Sequence, residues 1–255
     1  MARLKPVGHD ERLSLVEHLD ELRARLLVCA AALVPALAVC GWKNDLIIEL
    51  LNRPLPAGAQ PITLSPTEPF LTTATLVVYA ALLIALPVII YQAYAFVLPA
   101  FSPSERRVAL PLMLLAPLLF VGGVAFAYFV VLPPAIDVLL AFNADEFNTQ
   151  LRAREYYGFA ALTLVSLGVL FQVPIGVLAA TRLGLVTPDG LRRGRRYAIL
   201  GIAVLAALLP TIDPVTMLLE MVPLIALYEL SILVARVFGR PSPGAAEPAA
   251  PLETS

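Results

Sequence analysis

Few side chains in this sequence could do chemistry, and their positions narrow the choice. The two histidines of the 255 residues, His9 and His18, both precede the first long apolar run. No histidine is left within the apolar stretches for a catalytic triad or a metal site. A phosphate loop ending in Gly-Lys-Ser/Thr is absent, and so is a Gly-x-Ser-x-Gly elbow, which removes those routes to nucleotide hydrolysis and acyl transfer. What remains is carboxylate. Asp20, Glu21 and Glu105 lie among arginines at the edges of apolar runs. Glu220 and Glu229 lie inside the last run, on opposite faces of a helix, and Gln172 adds an uncharged polar group to the fourth. Carboxylates in a basic setting suit a cationic ligand, such as an arginine-bearing peptide held through paired guanidinium donors. Ionisable groups deep in apolar runs suit either hydrogen bonds between helices or the midplane site of a six-span small-solute or ion carrier.

The elements that position these groups must lie in a membrane. The apolar fraction is 59% and the charged fraction 15%, with mean hydropathy +0.83 and net charge -1. Soluble domains have about 45–50% and about 25%. They hide only about 70% of the surface their unfolded chain exposes. A soluble enzyme and a disordered chain are excluded, and the near-neutral balance offers no basic face for nucleic acid. Apolar runs near 26–41, 71–97, 108–132, 156–181, 197–209 and 215–235 predict an all-α integral membrane protein with six transmembrane helices. The runs are apolar on every side, unlike barrel strands. The fifth, about 20 Å long at 1.5 Å per residue, must thin the bilayer or extend past the 210–214 turn. Pro35, Pro87, Pro111, Pro117, Pro174 and Pro223 should bend their helices, so that several spans form a curved wall.

Fourteen of the 18 basic residues fall on one side of such a chain. Arg3, Lys5, Arg12, Arg23 and Arg25 precede the first span, and Arg182, Arg192, Arg193, Arg195 and Arg196 separate the fourth from the fifth. The positive-inside rule makes both termini cytoplasmic. About 25 polar and charged residues precede the first apolar run, which does not read as a cleavable signal peptide. Ser14-Leu15-Val16-Glu17 reads as a capping box, opening a helix with Leu15, Leu19, Leu22 and Leu26 on one face. That helix should lie along the cytoplasmic surface, as an anchor or as a platform for carboxylates. The loop 43–70 is Pro-rich and should be stiff. Residues 237–255 are rich in Gly, Pro and Ala and should be a disordered tail after the membrane domain 13–236, as 1–12 should be a tail before it. Cys29 and Cys40, about 16 Å apart along one helix, cannot pair and read as packing residues.

Glu17-His18-Leu19-Asp20-Glu21-Leu22-Arg23-Ala24-Arg25-Leu26 resembles the opening signature of the TatC family, the membrane-embedded receptor subunits of the twin-arginine protein translocase. The resemblance continues through Pro66-Thr67-Glu68-Pro69-Phe70, Tyr91-Gln92-Ala93-Tyr94-Ala95-Phe96-Val97-Leu98-Pro99 and Glu105-Arg106-Arg107. Phe126-Ala127-Tyr128-Phe129, Phe171-Gln172-Val173-Pro174, Arg195-Arg196-Tyr197 and Tyr228-Glu229-Leu230-Ser231 then follow in order.

The resemblance implies a receptor, without enzymatic activity, cofactor or metal, in the cytoplasmic (inner) membrane. It would bind the twin-arginine signal peptides of folded cargo at the cytoplasmic face. The family's recognition glutamates match Glu21 and Glu105, with Phe96 beside them; His18 and Arg23 would shape that surface. Pro54 and residues 66–70, among them Pro66, Glu68 and Phe70, would order an outer cap, and Asp213 in the 210–214 turn resembles a further family position. Implied partners are single-span subunits of the TatA and TatB type, membrane lipid and other copies of the chain, with transport driven by the proton motive force. Gln172 stands where many members have glutamate. With Glu229, it reads as a docking point for a partner helix that needs no charge.

Overall fold

The computed structural model describes residues 15–56, 58–98, 103–141, 146, 150–182, 184–208 and 214–238. Ser14, Asp213 and the 239–255 tail lie outside them. Among the described residues there are ten α-helices and no strand, only one isolated bridge between Ile62 and Arg152. α1 (Leu15–Trp42) runs antiparallel to α3 (Glu68–Val97), with α2 (Asn44–Asn52) between them in sequence. α4 (Pro103–Phe126) passes through a π-helical turn (Ala127–Val131) into α5 (Leu132–Ala141). α6 (Ala153–Leu170) and α7 (Val173–Arg182) follow, then the short α8 (Pro188–Arg193), α9 (Arg195–Leu208) and α10 (Pro214–Phe238), which packs on α7 and α9. Four runs are long and apolar enough to cross a membrane: His18–Trp42, Glu68–Val97, Met113–Ala141 and Ala153–Arg182. α9, with 14 residues, rises only about 21 Å.

Three sequence expectations change. α1 is one uninterrupted helix of 28 residues, so its first turns continue the axis of the span and do not lie across it. Its leucine face, Leu19, Leu22 and Leu26, is exposed, and the polar face carrying His18 and Glu21 packs on α3. The 43–70 loop is not merely stiff coil but begins with the amphipathic α2. The last helix reaches Phe238, two residues into the predicted tail.

The fourth span is not one helix. Pro174 has no N–H to offer the Leu170 carbonyl. The helix stops at Leu170 and restarts at Val173, with Phe171 and Gln172 in the turn between. The π turn has a similar origin, since Pro133 and Pro134 remove two successive donors and the ladder widens there: the Leu132 N–H reaches Ala127 O, five residues back.

The core sits where α4, α6 and the π turn meet, around Ala127, Leu132, Ala160 and Leu167, all fully buried. The closest approach is made by glycines. A Cβ on Gly123 would lie 2.7 Å from Phe171 Cγ and 2.9 Å from the Leu167 carbonyl oxygen; one on Gly168 would lie 2.6 Å from Phe120 Cε2. Gly123→Ala should therefore push α4 off the α6 backbone and lower stability by about 1–3 kcal/mol. Gly176→Ala, with open space around it, should leave the midpoint unchanged. Thermal unfolding of the purified protein in detergent compares them.

Candidate functional site

Two polar constellations occupy opposite ends of the helices. The end holding the start of α1 and the finish of α3 is the rim; the end holding α2 and the start of α6 is the cap.

At the rim, positions 18, 21 and 25 fall on one face of α1 and meet the last turns of α3. The His18 and Phe96 rings stack, centroids 4.4 Å apart and 26° between planes. Arg25 donates to Glu21 Oε1 through Nε at 3.0 Å and Nη2 at 2.5 Å, and to Gln92 Oε1 at 3.0 Å and the Ala95 carbonyl at 3.1 Å. Both Glu21 bonds converge on one oxygen, and among the described residues Oε2 takes no hydrogen bond. The Glu21 side chain is 27% exposed and the Arg25 side chain 23%, so the pair is half-buried and still reachable.

His18, Glu21 and Phe96 are thus brought together as the sequence suggested. Arg23 is not. It lies two residues from Glu21, about 200° round the helix, and is exposed. Glu105 falls in the opening turn of α4, which follows α3 after a short connection and so starts at the same end. Its side chain lies outside the described residues. Arg25 and Gln92 were missed as site residues, although Glu21 and Arg25 have the i,i+4 spacing of a helical ion pair.

Glu229 belongs to the rim too. Arg195 donates to its Oε2 at 2.6 Å, both side chains being nearly half exposed, and Tyr228 beside it donates to the Leu191 carbonyl at 2.7 Å. Gln172 lies apart from this pair. Its Nε2 donates to the Ala116 carbonyl of α4 at 3.2 Å, and its Oε1 is buried without a hydrogen bond among the described residues. Gln172 and Glu229 therefore do not form a single site.

At the cap, three tyrosines hold α2 by its last turn. Tyr128 donates to Leu50 O at 2.7 Å, Tyr156 to Leu51 O, and Tyr157 to Asn52 Oδ1 at 2.9 Å. Ile62 and Arg152 then clip the first cap loop to the start of α6: Ile62 N–H to Leu151 O and Ala153 N–H to Ile62 O, each 2.8 Å. Glu68 is 4% exposed and takes Arg152 Nε at 2.8 Å and the Leu64 N–H at 2.9 Å. Hydrogen bonding and attraction from Glu68 raise the Arg152 pKa above its ordinary value, so the cation is secure. Pro54 and Pro66 lie in the turns around this clip, and Phe70 is 76% exposed. Arg152 was not a sequence candidate; it lies 84 positions from Glu68.

The geometry can present a carboxylate beside a stacked aromatic pair at one end and a rigid lid at the other. Arg152→Gln should lower the melting temperature by leaving the Glu68 carboxylate without a countercharge, and adding Glu68→Gln should restore part of the loss. Arg53→Gln, which breaks an exposed pair with Glu49, should leave it unchanged.

Comparison with known proteins supplies a frame for this geometry. Residues 17–223 match the family model described as "Sec-independent protein translocase protein (TatC)". The chain is 38% identical over 246 residues to the protein of that name from Deinococcus radiodurans, covering 93% of this chain and 91% of that one. It is 34% identical to the Escherichia coli protein, covering 88% of each. A crystal structure described as the twin arginine translocase receptor TatC superposes with a TM-score of 0.77 at 34% identity, over 87% of this chain and 99% of that one.

Proposed function

The chain belongs to the TatC family, membrane proteins of the twin-arginine protein translocase and not enzymes, and from that premise we propose that it is the subunit that receives twin-arginine signal peptides at its rim. The observation that supports this is the α1–α3 contact, where Glu21 already holds a guanidinium, that of Arg25. Both Arg25 donors use Oε1, which leaves Oε2 able to accept from an arginine of the peptide. Phe96 and His18 offer a stacked face for the same group. Glu105, at the same end, supplies a second carboxylate for the second arginine.

In this reading all six apolar runs cross the cytoplasmic (inner) membrane and both termini are cytoplasmic. The rim then carries the arginine-rich 182–196 segment, as the positive-inside rule requires. The cap faces the other side. Single-span partners of the TatA and TatB type, and further copies of the chain, assemble around it, and export is driven by the proton motive force. Gln172 and Glu229 serve as two separate polar points for partner helices, neither needing a change of charge at Gln172. The alternative, a small-solute or ion carrier, is not favoured by the family, and Glu229 sits at the rim beside Arg195, away from midplane.

The test is binding of a signal peptide to the full chain in lipid, with an arginine pair against a lysine pair. Lysine keeps the charge and loses the planar fork, so the arginine pair should bind at least tenfold more tightly, about 1.4 kcal/mol. Glu105→Ala should remove that preference without changing the melting temperature, and Glu229→Ala should do less. Unchanged binding by Glu105→Ala would overturn the assignment.

A further inference from the structure

A cleft of about 310 Å³ opens between α3 and α6 at the cap end, lined by Leu71, Thr72, Tyr79, Arg154, Tyr157 and Gly158 among others. Its volume is at the lower end of the range for ligand sites, about 300–1,000 Å³. Two features set it apart from an accidental gap between helices. Thr72 is 7% exposed, yet its hydroxyl has no hydrogen-bond partner among the described residues. A buried hydroxyl without a partner is costly, and such exceptions need a reason. Arg154 stands at the same cleft and, unlike its neighbour Arg152, makes no ion pair among the described residues.

The depth of the cleft is also informative. Arg154 is the second residue of α6 and Thr72 the fifth of α3, so the site lies within about 6 Å of the ends of two runs that can span a membrane. That is the level at which lipid phosphates meet the hydrocarbon. Leu76 and Tyr79, deeper along α3, supply an apolar wall on the side toward the membrane interior.

We propose that this cleft binds the phosphate headgroup of an anionic membrane phospholipid, with the Arg154 guanidinium on the phosphate and the Thr72 hydroxyl donating to a headgroup oxygen. The glycerol and first methylenes then lie on Leu76 and Tyr79. A free phosphate would satisfy Arg154 and Thr72 equally well, but it would leave the apolar wall without a partner. The site depends neither on the rim nor on which leaflet the cap faces.

Native mass spectrometry of the delipidated full chain tests this, with phosphatidylglycerol, diacylglycerol of the same chains, and soluble glycerol phosphate as probes. Phosphatidylglycerol should be retained at least tenfold better than diacylglycerol. Arg154→Gln, on an exposed side chain, should abolish that preference, and the near-isosteric Thr72→Val should weaken it about fivefold, the scale of one hydrogen bond. Equal retention of the two lipids, or an unchanged preference in Arg154→Gln at an unchanged melting temperature, would overturn the proposal. Displacement of phosphatidylglycerol by an equal concentration of glycerol phosphate would also overturn it, by showing a site for free phosphate.

Discussion

In hydrocarbon no water is available to satisfy a backbone N–H or C=O, and the irregular points among the described residues are arranged around that constraint. Helices alone meet it along the spans. Where a helix ends or breaks, a side chain or a widened turn takes over. Tyr128 and Tyr156 donate to the last carbonyls of α2, and the π turn absorbs Pro133 and Pro134. Polar side chains here thus help keep the backbone paired.

The two ends of the chain answer different needs with similar chemistry. Each has a glutamate held by an arginine: Glu68 by Arg152 at the cap, Glu21 by Arg25 at the rim. They differ in burial and in bond geometry. Glu68 is closed off, with both oxygens engaged, by Arg152 and by the Leu64 N–H. Glu21 is part-exposed, and its arginine uses one oxygen only. A closed carboxylate fixes a loop, whereas a half-open one can exchange partners. The same pair of residue types thus makes a closed clasp at one end and a half-open pair at the other.

Much of this was legible in the sequence. Composition alone placed the chain in a membrane, and the ordered motifs pointed to the family that the comparisons then matched. His18, Glu21 and Phe96 were named together and are found together. What escaped was of two kinds. Arg152 and the tyrosine donors act across 78 to 105 positions, and no local pattern in one sequence reveals such partners. The break at Phe171 and Gln172 was anticipated only as a bend, because Pro174 announces a missing bond without saying how the helix responds. At the break Phe171 packs so close to α4 that position 123 has room only for glycine. α2 was hidden by its prolines, which in fact follow the helix and close its loop.

The interruption between α6 and α7 also sets how stiffness is distributed. A continuous helix resists bending through its ladder of backbone hydrogen bonds, and this one has a missing rung at mid-length. On the cap side, α6 is cross-braced by the Glu68 clasp, the Ile62 bridge and two tyrosine bonds to α2. On the rim side, α7 is bound mainly to α10 by apolar packing, which slides more readily than it stretches. The break is therefore a compliant point within the fourth span, set between a braced α6 and an α7 that leans on α10.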